Sequence, residues 1–327
     1  MIKRKKILFI CGTMNQTTMM YQVAQQLSEY DLYFTAYYGD AEQDWAAKKG
    51  WIDFSILAGK FRRDTEQFIR DQGLQMDYRG ERHDYDLVVT CSDLIVQRNI
   101  RNKKIILVQE GMMVPDNWVT ALVKMFRLPN YLANTSMTGL SLAYEKFCVA
   151  SEGFADFFVE KGIPRDRIAV TGMPNFDDVL RYRQNNFPHR DYVLAATSAN
   201  RESYVYENRK RSILKAKSIA AQLGKPLLFK THPNENQERA VREFKKYAPD
   251  SLIYTSGNTN EMIANCAAMV TRFSSVLLVA SALDKPVYSE LDTDFVRRLK
   301  PLQNEGRSAI RIADICRTYL EAVAGVC

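Results

Sequence analysis

Three polar stretches in the second half of the chain carry side chains that could hold an anionic ligand. Each directly follows an apolar run typical of a buried parallel strand. The carboxyl ends of parallel strands form the ligand crevice of an open sheet, so these stretches are predicted to face one site. The candidate residues are Ser198, Asn200 and Arg201; Lys230, His232 and Pro233; and Ser274 and Ser275.

Two interpretations of these residues stay open. Ser274 and Ser275 precede a predicted helix, where serine either caps the helix or helps the free N–H groups to bind phosphate. His232 is either a structural hydrogen-bonding residue or, with Lys230, a contact for a diphosphate or a sugar carboxylate. Arg201 or Asn200 either neutralises phosphate or is solvated.

In the first half, the candidate general base is Glu110, which ends a predicted strand and precedes Gly111. Asp93, at a neighbouring strand end, is the second candidate, and Glu152 is the third. Glu110 could instead form a salt bridge or cap a helix. Gly12 and Thr13 are candidates for an acceptor loop, although their spacing is not the GxGxxG of a dinucleotide site.

Strands alternate with helices along the chain, and the rhythm restarts after a stretch rich in proline and asparagine. This pattern predicts an α/β fold of two Rossmann-like, doubly wound parallel-sheet domains facing a cleft. The expected domains are 1–175, for the acceptor, and 185–309, for the donor, with a hinge at 172–190. A final helix, at about 310–325, is expected to pack back on the first domain.

The segment 112–142 places large apolar side chains, including Trp118 and Phe126, beside Lys124 and Arg127. One interpretation is a packed loop and helix beneath the sheet. The other is a surface that receives a lipid-linked acceptor and contacts an anionic membrane peripherally.

Composition narrows the classes of function. The net charge is +7, but the 45 basic residues are dispersed among 38 acidic ones, which argues against nucleic-acid binding. The first apolar run is too short for a signal peptide, and no stretch has the length of a membrane span. The six cysteines lack the spacing of metal ligands. They are expected to be buried reduced thiols of a cytoplasmic protein.

Several short motifs together resemble the GT-B superfamily of glycosyltransferases. They are Thr171-Gly-Met-Pro-Asn175, Lys230-Thr-His-Pro233, and Thr271-Arg-Phe-Ser-Ser275 leading to Leu283-Asp-Lys-Pro286. The resemblance is greatest to the branch of bacterial sialyltransferases, capsule Kdo transferases and CDP-glycerol glycerophosphotransferases. It implies that His232, Pro233, Ser274 and Ser275 contact an activated donor and that Glu110 is the base.

Some positions depart from that pattern. Val279 and Ala280 stand where many relatives have a ribose-binding acid, and Arg272 stands where the glycerophosphotransferases have an aspartate. The expected function is a glycosyltransferase of bacterial cell-surface polysaccharide or glycolipid biosynthesis, without metal or other cofactor. The expected substrates are a CMP-, CDP- or UDP-linked sugar and a glycan or lipid-linked acceptor at the inner face of the membrane. The alternatives are a UDP-GlcNAc 2-epimerase, a glycerophosphotransferase and a non-catalytic sugar-nucleotide-binding assembly protein.

Overall fold

The chain forms two compact units. A computed structural model describes residues 4–53, 55–112, 118–126, 128–203, 206–272 and 274–321. Unit 1 comprises Met1–Asp177 and Asn304–Cys327, and unit 2 comprises Asp178–Gln303. The stretch 304–309 therefore belongs to unit 1, whereas the sequence pattern assigned it to the second domain.

Unit 1 is built on a sheet of six parallel strands. These are β1 (Lys6–Cys11), β2 (Asp31–Ala36), β3 (Leu87–Thr90), β4 (Ile105–Val108), β5 (Lys146–Val149) and β6 (Ile168–Val170). Their order in the sheet is β2-β1-β3-β4-β5-β6. The helices between them are α1 (Met14–Ala24), α2 (Ala41–Lys48), α3 (Gly59–Asp71), α4 (Trp118–Phe126) and α5 (Glu152–Glu160).

The central strands of this sheet are apolar because helices cover both of its faces. Every residue of β3 and β4 is buried, and Phe9 of β1 stacks on Phe34 of β2 at 5.2 Å between ring centroids. The cysteines of the described residues, which exclude Cys327, are all free and buried. Burial raises the pKa of these thiols, which keeps them protonated and unreactive.

Unit 2 has a five-stranded parallel sheet. Its strands are β7 (Val193–Ala196), β8 (Leu227–Lys230), β9 (Leu252–Tyr254), β10 (Ala268–Val270) and β11 (Val287–Tyr288), in the order β11-β10-β7-β8-β9. Its helices are α6 (Arg209–Gln222), α7 (Gln237–Tyr247), α8 (Thr259–Asn265), α9 (Val276–Ala282) and α10 (Thr293–Arg298). The prediction of two Rossmann-like parallel-sheet domains is confirmed.

The last helix, α11 (Ser308–Glu321), belongs to unit 1. Its first turn is fixed by Asp177, whose Oδ2 accepts the backbone N–H of Ser308 at 2.8 Å. At its other end, the Nζ of Lys104 donates to the carbonyl of Tyr319 at 2.7 Å. A cation at a helix C-terminus satisfies free carbonyls and complements the helix dipole. Residues 322–325 of the predicted helix lie outside the described residues.

Helix α4, within the segment 112–142, has one buried and one exposed face. Thr120 and Val123 of α4 are buried, whereas Trp118, Met125 and Phe126 are 74%, 66% and 62% exposed. Residues 113–117 and Arg127 lie outside the part of the chain that the structure describes. Within that part, no helix combines the length and the apolar character that crossing a bilayer requires.

Candidate functional site

In unit 1, the candidate residues follow three neighbouring strands. Gly12 and Thr13 follow β1, Asp93 follows β3 and Glu110 follows β4, and these strands are adjacent in the order β1-β3-β4. The chain leaves β1 to one side for β2 and then returns to the other side for β3. The topological switch point, where parallel sheets commonly bind ligands, therefore lies between β1 and β3.

Gly12 and Thr13 form the start of α1. Thr13 is the N-cap: its Oγ1 accepts the N–H of Gln16 at 3.3 Å, and the Oε1 of Gln16 accepts the N–H of Thr13 at 3.1 Å. This reciprocal pair is a capping box. The side chain of Gln16 occupies the space that a Cβ at position 12 would need, so glycine fits there.

Glu110 contacts this helix start directly. The Oγ1 of Thr13 donates to the Oε1 of Glu110 at 3.1 Å, and the Nδ2 of Asn15 donates to its backbone carbonyl at 2.8 Å. Burial raises the pKa of Glu110 above its ordinary value, and hydrogen bonds from Gln16 and Thr13 oppose that shift only in part. The result is a carboxylate that is more basic than usual and is fixed at the helix N-terminus.

The other two carboxylates hold local structure. Asp93 is buried: its Oδ1 accepts the N–H of Gly139 at 2.9 Å and its Oδ2 accepts that of Ser141 at 3.2 Å. Burial raises its pKa against those hydrogen bonds. Glu152 is exposed at the start of α5 and pairs with Arg165 at 3.0 Å.

Asn175, in the Gly-Met-Pro-Asn stretch, ties that loop to α1. Its Nδ2 lies within 3.0 Å of the carbonyl and Oδ1 of Asn15 and of the Oγ1 of Thr18. Its Oδ1 accepts from Gln22 at 2.7 Å. Asn15 in turn holds the backbone of Glu110, so the loop supports the position of the candidate base. The sequence marked this motif only by resemblance and gave no indication of its partners.

In unit 2, the three candidate stretches follow three adjacent strands, β10, β7 and β8, at one edge of the sheet. The chain runs from β7 to β8 and β9 on one side and then to β10 on the other. The switch point of this sheet is therefore between β7 and β10. It lies between the loop containing Ser198, Asn200 and Arg201 and the loop containing Ser274 and Ser275.

His232 is half-buried, and its Nδ1 accepts the backbone N–H of Asn234 at 3.1 Å. Burial, and to a lesser degree the charge of Lys230, lowers its pKa. The neutral imidazole therefore carries its proton on Nε2 and can donate it to a ligand. Lys230 is buried, its Nζ donates to the carbonyl of Thr231 at 2.8 Å, and burial lowers its pKa. Pro233 is exposed.

Ser274 and Ser275 are half-buried before α9. Ser275 occupies the N-cap position, but its hydroxyl makes no capping hydrogen bond. The capping interpretation of this serine therefore does not apply, and its hydroxyl is not committed to the helix.

Arg201 is already neutralised. Its two terminal nitrogens donate to the two carboxylate oxygens of Glu243 at 2.8 and 2.7 Å, the bidentate geometry of a strong ion pair. Ser198 and Asn200 line a cavity of about 80 Å³. Within this loop, Arg201 therefore forms an ion pair, whereas Ser198 and Asn200 line the cavity.

A buried charged cluster beside this loop was missed by sequence reasoning. Arg209 contacts Glu235 and lies 3.2 Å from Glu207, and Thr197 donates to Glu235 at 2.5 Å. Arg209 and Glu235 are 26 positions apart. No periodicity or motif connects them, so the sequence offered no signal for this cluster. Among the described residues, no group of acidic, histidine or cysteine side chains is arranged to hold a metal ion.

Comparisons with known proteins identify the fold. Neither a family model nor a curated protein matches the sequence. Among solved structures, the chain is similar to MnaA of S. aureus in a co-structure with UDP, with a TM-score of 0.57, 12% identity and 98% coverage of each chain.

The chain is also similar to the UDP-GlcNAc 2-epimerase of Methanocaldococcus jannaschii in complex with UDP-GlcNAc and UDP. That match has a TM-score of 0.55 and 14% identity, and it covers 96% of this chain and 99% of the other. A third match is the wall teichoic acid polymerase TagF soaked with CDPG, with a TM-score of 0.52, 9% identity, and coverage of 98% and 90%. The chain therefore has the GT-B type of fold, with two Rossmann-like domains.

Proposed function

We propose that the chain is a nucleotide-sugar-dependent glycosyltransferase of bacterial cell-surface polysaccharide or glycolipid biosynthesis. Unit 2 binds the activated donor, and unit 1 supplies the general base. The observation that carries the proposal is the Glu110 carboxylate, which is held by Thr13 at the start of α1 and has a raised pKa.

Glu110 accepts the proton of an acceptor hydroxyl as that oxygen forms its bond to the sugar carbon of the donor. The bond from that carbon to the nucleotide phosphate breaks, and the nucleotide leaves with the electron pair. A carboxylate with a raised pKa accepts a proton more readily at neutral pH. Thr13 orients it through the 3.1 Å hydrogen bond.

The charge that develops on the leaving phosphate needs hydrogen-bond donors. The Nε2–H of His232 and the hydroxyls of Ser274 and Ser275 supply them at the carboxyl edge of the unit 2 sheet. Pro233 shapes the loop beside His232. Arg201 and Lys230 contribute less than the sequence suggested, because Glu243 and the carbonyl of Thr231 already hold them. Asp93 is a weaker candidate than Glu110, since two backbone N–H groups occupy its oxygens.

The proposed donor is a CMP-, CDP- or UDP-linked sugar, and the acceptor is a glycan or a lipid-linked intermediate. The exposed apolar side chains of α4 support a peripheral contact of 112–142 with the inner face of the cytoplasmic membrane. Sedimentation with anionic vesicles tests this contact. Replacing Trp118 and Phe126 with serine is expected to abolish it, and a parent protein that does not sediment contradicts it.

The central experiment has two stages. Thermal stabilisation by CMP-, CDP-, UDP- and GDP-activated sugars identifies the donor, since a ligand that binds only the folded state raises its stability. Transfer by the Glu110→Gln variant is then measured against the parent. Loss of a general base is expected to reduce turnover by roughly 10²–10⁴-fold.

The matched control is Glu152→Gln, which removes an exposed carboxylate from the same unit and is expected to retain activity. No stabilisation by any donor contradicts the proposed donor site. Full activity of Glu110→Gln contradicts the assignment of the base.

A second candidate is a sugar-nucleotide 2-epimerase, which the similarity in fold to the M. jannaschii enzyme favours. Incubation with UDP-GlcNAc in the absence of an acceptor distinguishes it, because an epimerase yields a new sugar nucleotide and a transferase does not. The similarity to TagF favours a third candidate, a glycerophosphotransferase, which requires turnover of CDP-glycerol. A protein that binds a sugar nucleotide and turns over none of these donors is a non-catalytic assembly protein.

A further inference from the structure

Helix α6 of unit 2 has an exposed face on which every charge is positive. The helix contains five basic residues and no acidic one. Arg209 is buried in its ion pair with Glu235. The other four basic side chains of the helix are exposed, and they are Lys210, Arg211, Lys215 and Lys217.

These four cations have no ion-pair partner within the part of the chain that the structure describes. Other exposed arginines, such as Arg165 and Arg297, pair with a nearby carboxylate. On α6, Arg211 and Lys215 instead stand four positions apart, a spacing at which like charges destabilise a helix. The free protein therefore bears a cost that an anionic partner would relieve.

Helix α7 extends this surface. The two helices pack on a shared core that includes Ile213 and Phe244. The Nζ atoms of Lys210 and Lys246 lie 5.8 and 5.4 Å from the centroid of the same ring, that of Tyr247. The exposed charged side chains of α7 are Glu238, Arg242, Lys245 and Lys246. We call the exposed side chains of α6 and α7 together the basic face.

The excess of positive charge in the chain lies in unit 2. This unit has 20 basic and 13 acidic residues, so its net charge equals the +7 of the whole chain. Unit 1 is therefore neutral overall. A concentration of charge of one sign attracts a partner of the opposite sign and speeds its association. The basic face is thus expected to meet a partner with many negative charges.

The exposed side chain of Leu214 favours an anionic bilayer as this partner. Leu214 is 43% exposed and lies in one helical stripe with Lys210 and Lys217. Beside it, Lys210, Arg211 and Lys215 line an open groove. At a lipid interface, an apolar side chain enters the headgroup region, while the lysine and arginine side chains reach the phosphates.

A nucleic acid or a glycan fits the basic face less well. Helix α6 contains no aromatic residue on which a base or a sugar ring can stack. Tyr247 of α7 is half-buried and has Lys210 and Lys246 beside its ring. The face therefore offers charge and aliphatic surface, which are the two features that an anionic membrane recognises.

We propose that the basic face docks unit 2 on a membrane rich in anionic lipid. Stable peripheral binding generally takes two signals, such as an apolar contact and a polybasic surface. The exposed apolar side chains of α4 supply the first signal in the proposed function, and the basic face supplies the second. The inference rests on the proposed function for the membrane setting alone. It adds a surface in the other unit and the lipid charge that this surface recognises.

Sedimentation of the full chain with vesicles tests the inference. Vesicles of phosphatidylcholine are compared with vesicles in which a third of the lipid is phosphatidylglycerol. At about 0.1 M salt, the parent protein is expected to bind the anionic vesicles at least about tenfold more tightly, since each basic residue near the surface contributes about fivefold. At about 1 M salt, where the Debye length falls to about 3 Å, the preference is expected to disappear.

The decisive variant combines Lys210→Gln, Arg211→Gln and Lys217→Gln. Glutamine is a good helix former, so the substitutions remove three charges and leave the helix intact. Binding to the anionic vesicles at about 0.1 M salt is expected to weaken by about 10–100-fold. Binding to the neutral vesicles is expected to stay unchanged.

The matched control combines Lys48→Gln, Lys49→Gln and Arg63→Gln. It removes the same number of lysines and arginines from exposed positions in unit 1. Because it lowers the net charge equally, it separates the basic face from the charge of the whole chain. The control is expected to keep the preference for anionic vesicles. The midpoint temperature of unfolding, unchanged in both variants, verifies that they fold.

Equal binding of the parent protein to both kinds of vesicle, or equal losses in the two variants, overturns the inference. Tighter binding of a DNA duplex than of anionic vesicles at the same salt and phosphate concentration, lost in the α6 variant, assigns the face to nucleic acid and overturns it as well. If only the Trp118 and Phe126 replacements weaken vesicle binding, the basic face plays no part and the α4 contact stands. Failure of every activated donor to stabilise the protein counts against the proposed function and leaves the vesicle result unaffected.

Discussion

Replacing Asn175 with alanine tests how the Gly-Met-Pro-Asn loop supports the start of α1. The side-chain amide has two N–H groups, which are shared among the carbonyl and Oδ1 of Asn15 and the Oγ1 of Thr18, and one carbonyl oxygen, which accepts from Gln22. The substitution therefore removes three hydrogen bonds. Each contributes about 0.5–1.5 kcal/mol net, and because the site is half-buried we expect a total loss of about 2–3 kcal/mol.

The free energy of unfolding is measured by urea denaturation followed by circular dichroism, and the midpoint temperature by calorimetry. For a unit of this size, the expected loss lowers the midpoint by about 5–10 °C. The control is Asn102→Ala, since Asn102 is exposed in the same unit. It is expected to change stability by less than about 0.5 kcal/mol.

Asn175→Asp distinguishes hydrogen bonding from filled space. Aspartate keeps the volume and the acceptor for Gln22 but turns an oxygen toward the acceptors of Asn15. It is therefore expected to destabilise at least as much as alanine does. A loss below about 0.5 kcal/mol for Asn175→Ala, or a tolerated aspartate, would refute the reasoning.

Further expectations concern both units. Gly172→Ala should lower the free energy of unfolding by more than about 1 kcal/mol. The φ angle of Gly172 is +81°, and the new Cβ would meet a side chain of α11. An unchanged midpoint temperature of unfolding contradicts this prediction. Glu235→Ala should lower the free energy of unfolding in urea by about 3–5 kcal/mol, because the buried charge of Arg209 would lose one of its partners. A loss below about 1 kcal/mol would argue against a buried ion pair.

Burial raises the pKa of Glu110 in the folded state, so the stability that this residue contributes is lost as the pH rises through that pKa. Glu110→Gln should therefore be more stable than the parent protein at a pH above that pKa. In acid, the substitution should bring no gain in stability. The pKa of His232, measured by NMR, should lie below 6.5, the ordinary value for histidine. A measured pKa at or above 6.5 would contradict the burial of the imidazole.

Much of the fold was predictable from the sequence because the strands of a parallel sheet are buried on both faces. Apolar runs such as 7–10 and 105–108, each followed by a polar loop and a helix, are compatible with few architectures other than a parallel sheet. The same patterns placed Thr13 and Glu110 at strand ends, and hence at the edge where ligands bind.

Only the tertiary structure decided which of these residues meet. Thr13 and Glu110 are separated by 97 positions, and Asn15 and Asn175 by 160. They meet because strand order and register bring distant loops to one edge of the sheet, and local periodicity does not encode strand order. For the same reason, the pairing of Arg201 with Glu243 was not readable from the sequence, nor was the Arg209 cluster beside the cavity.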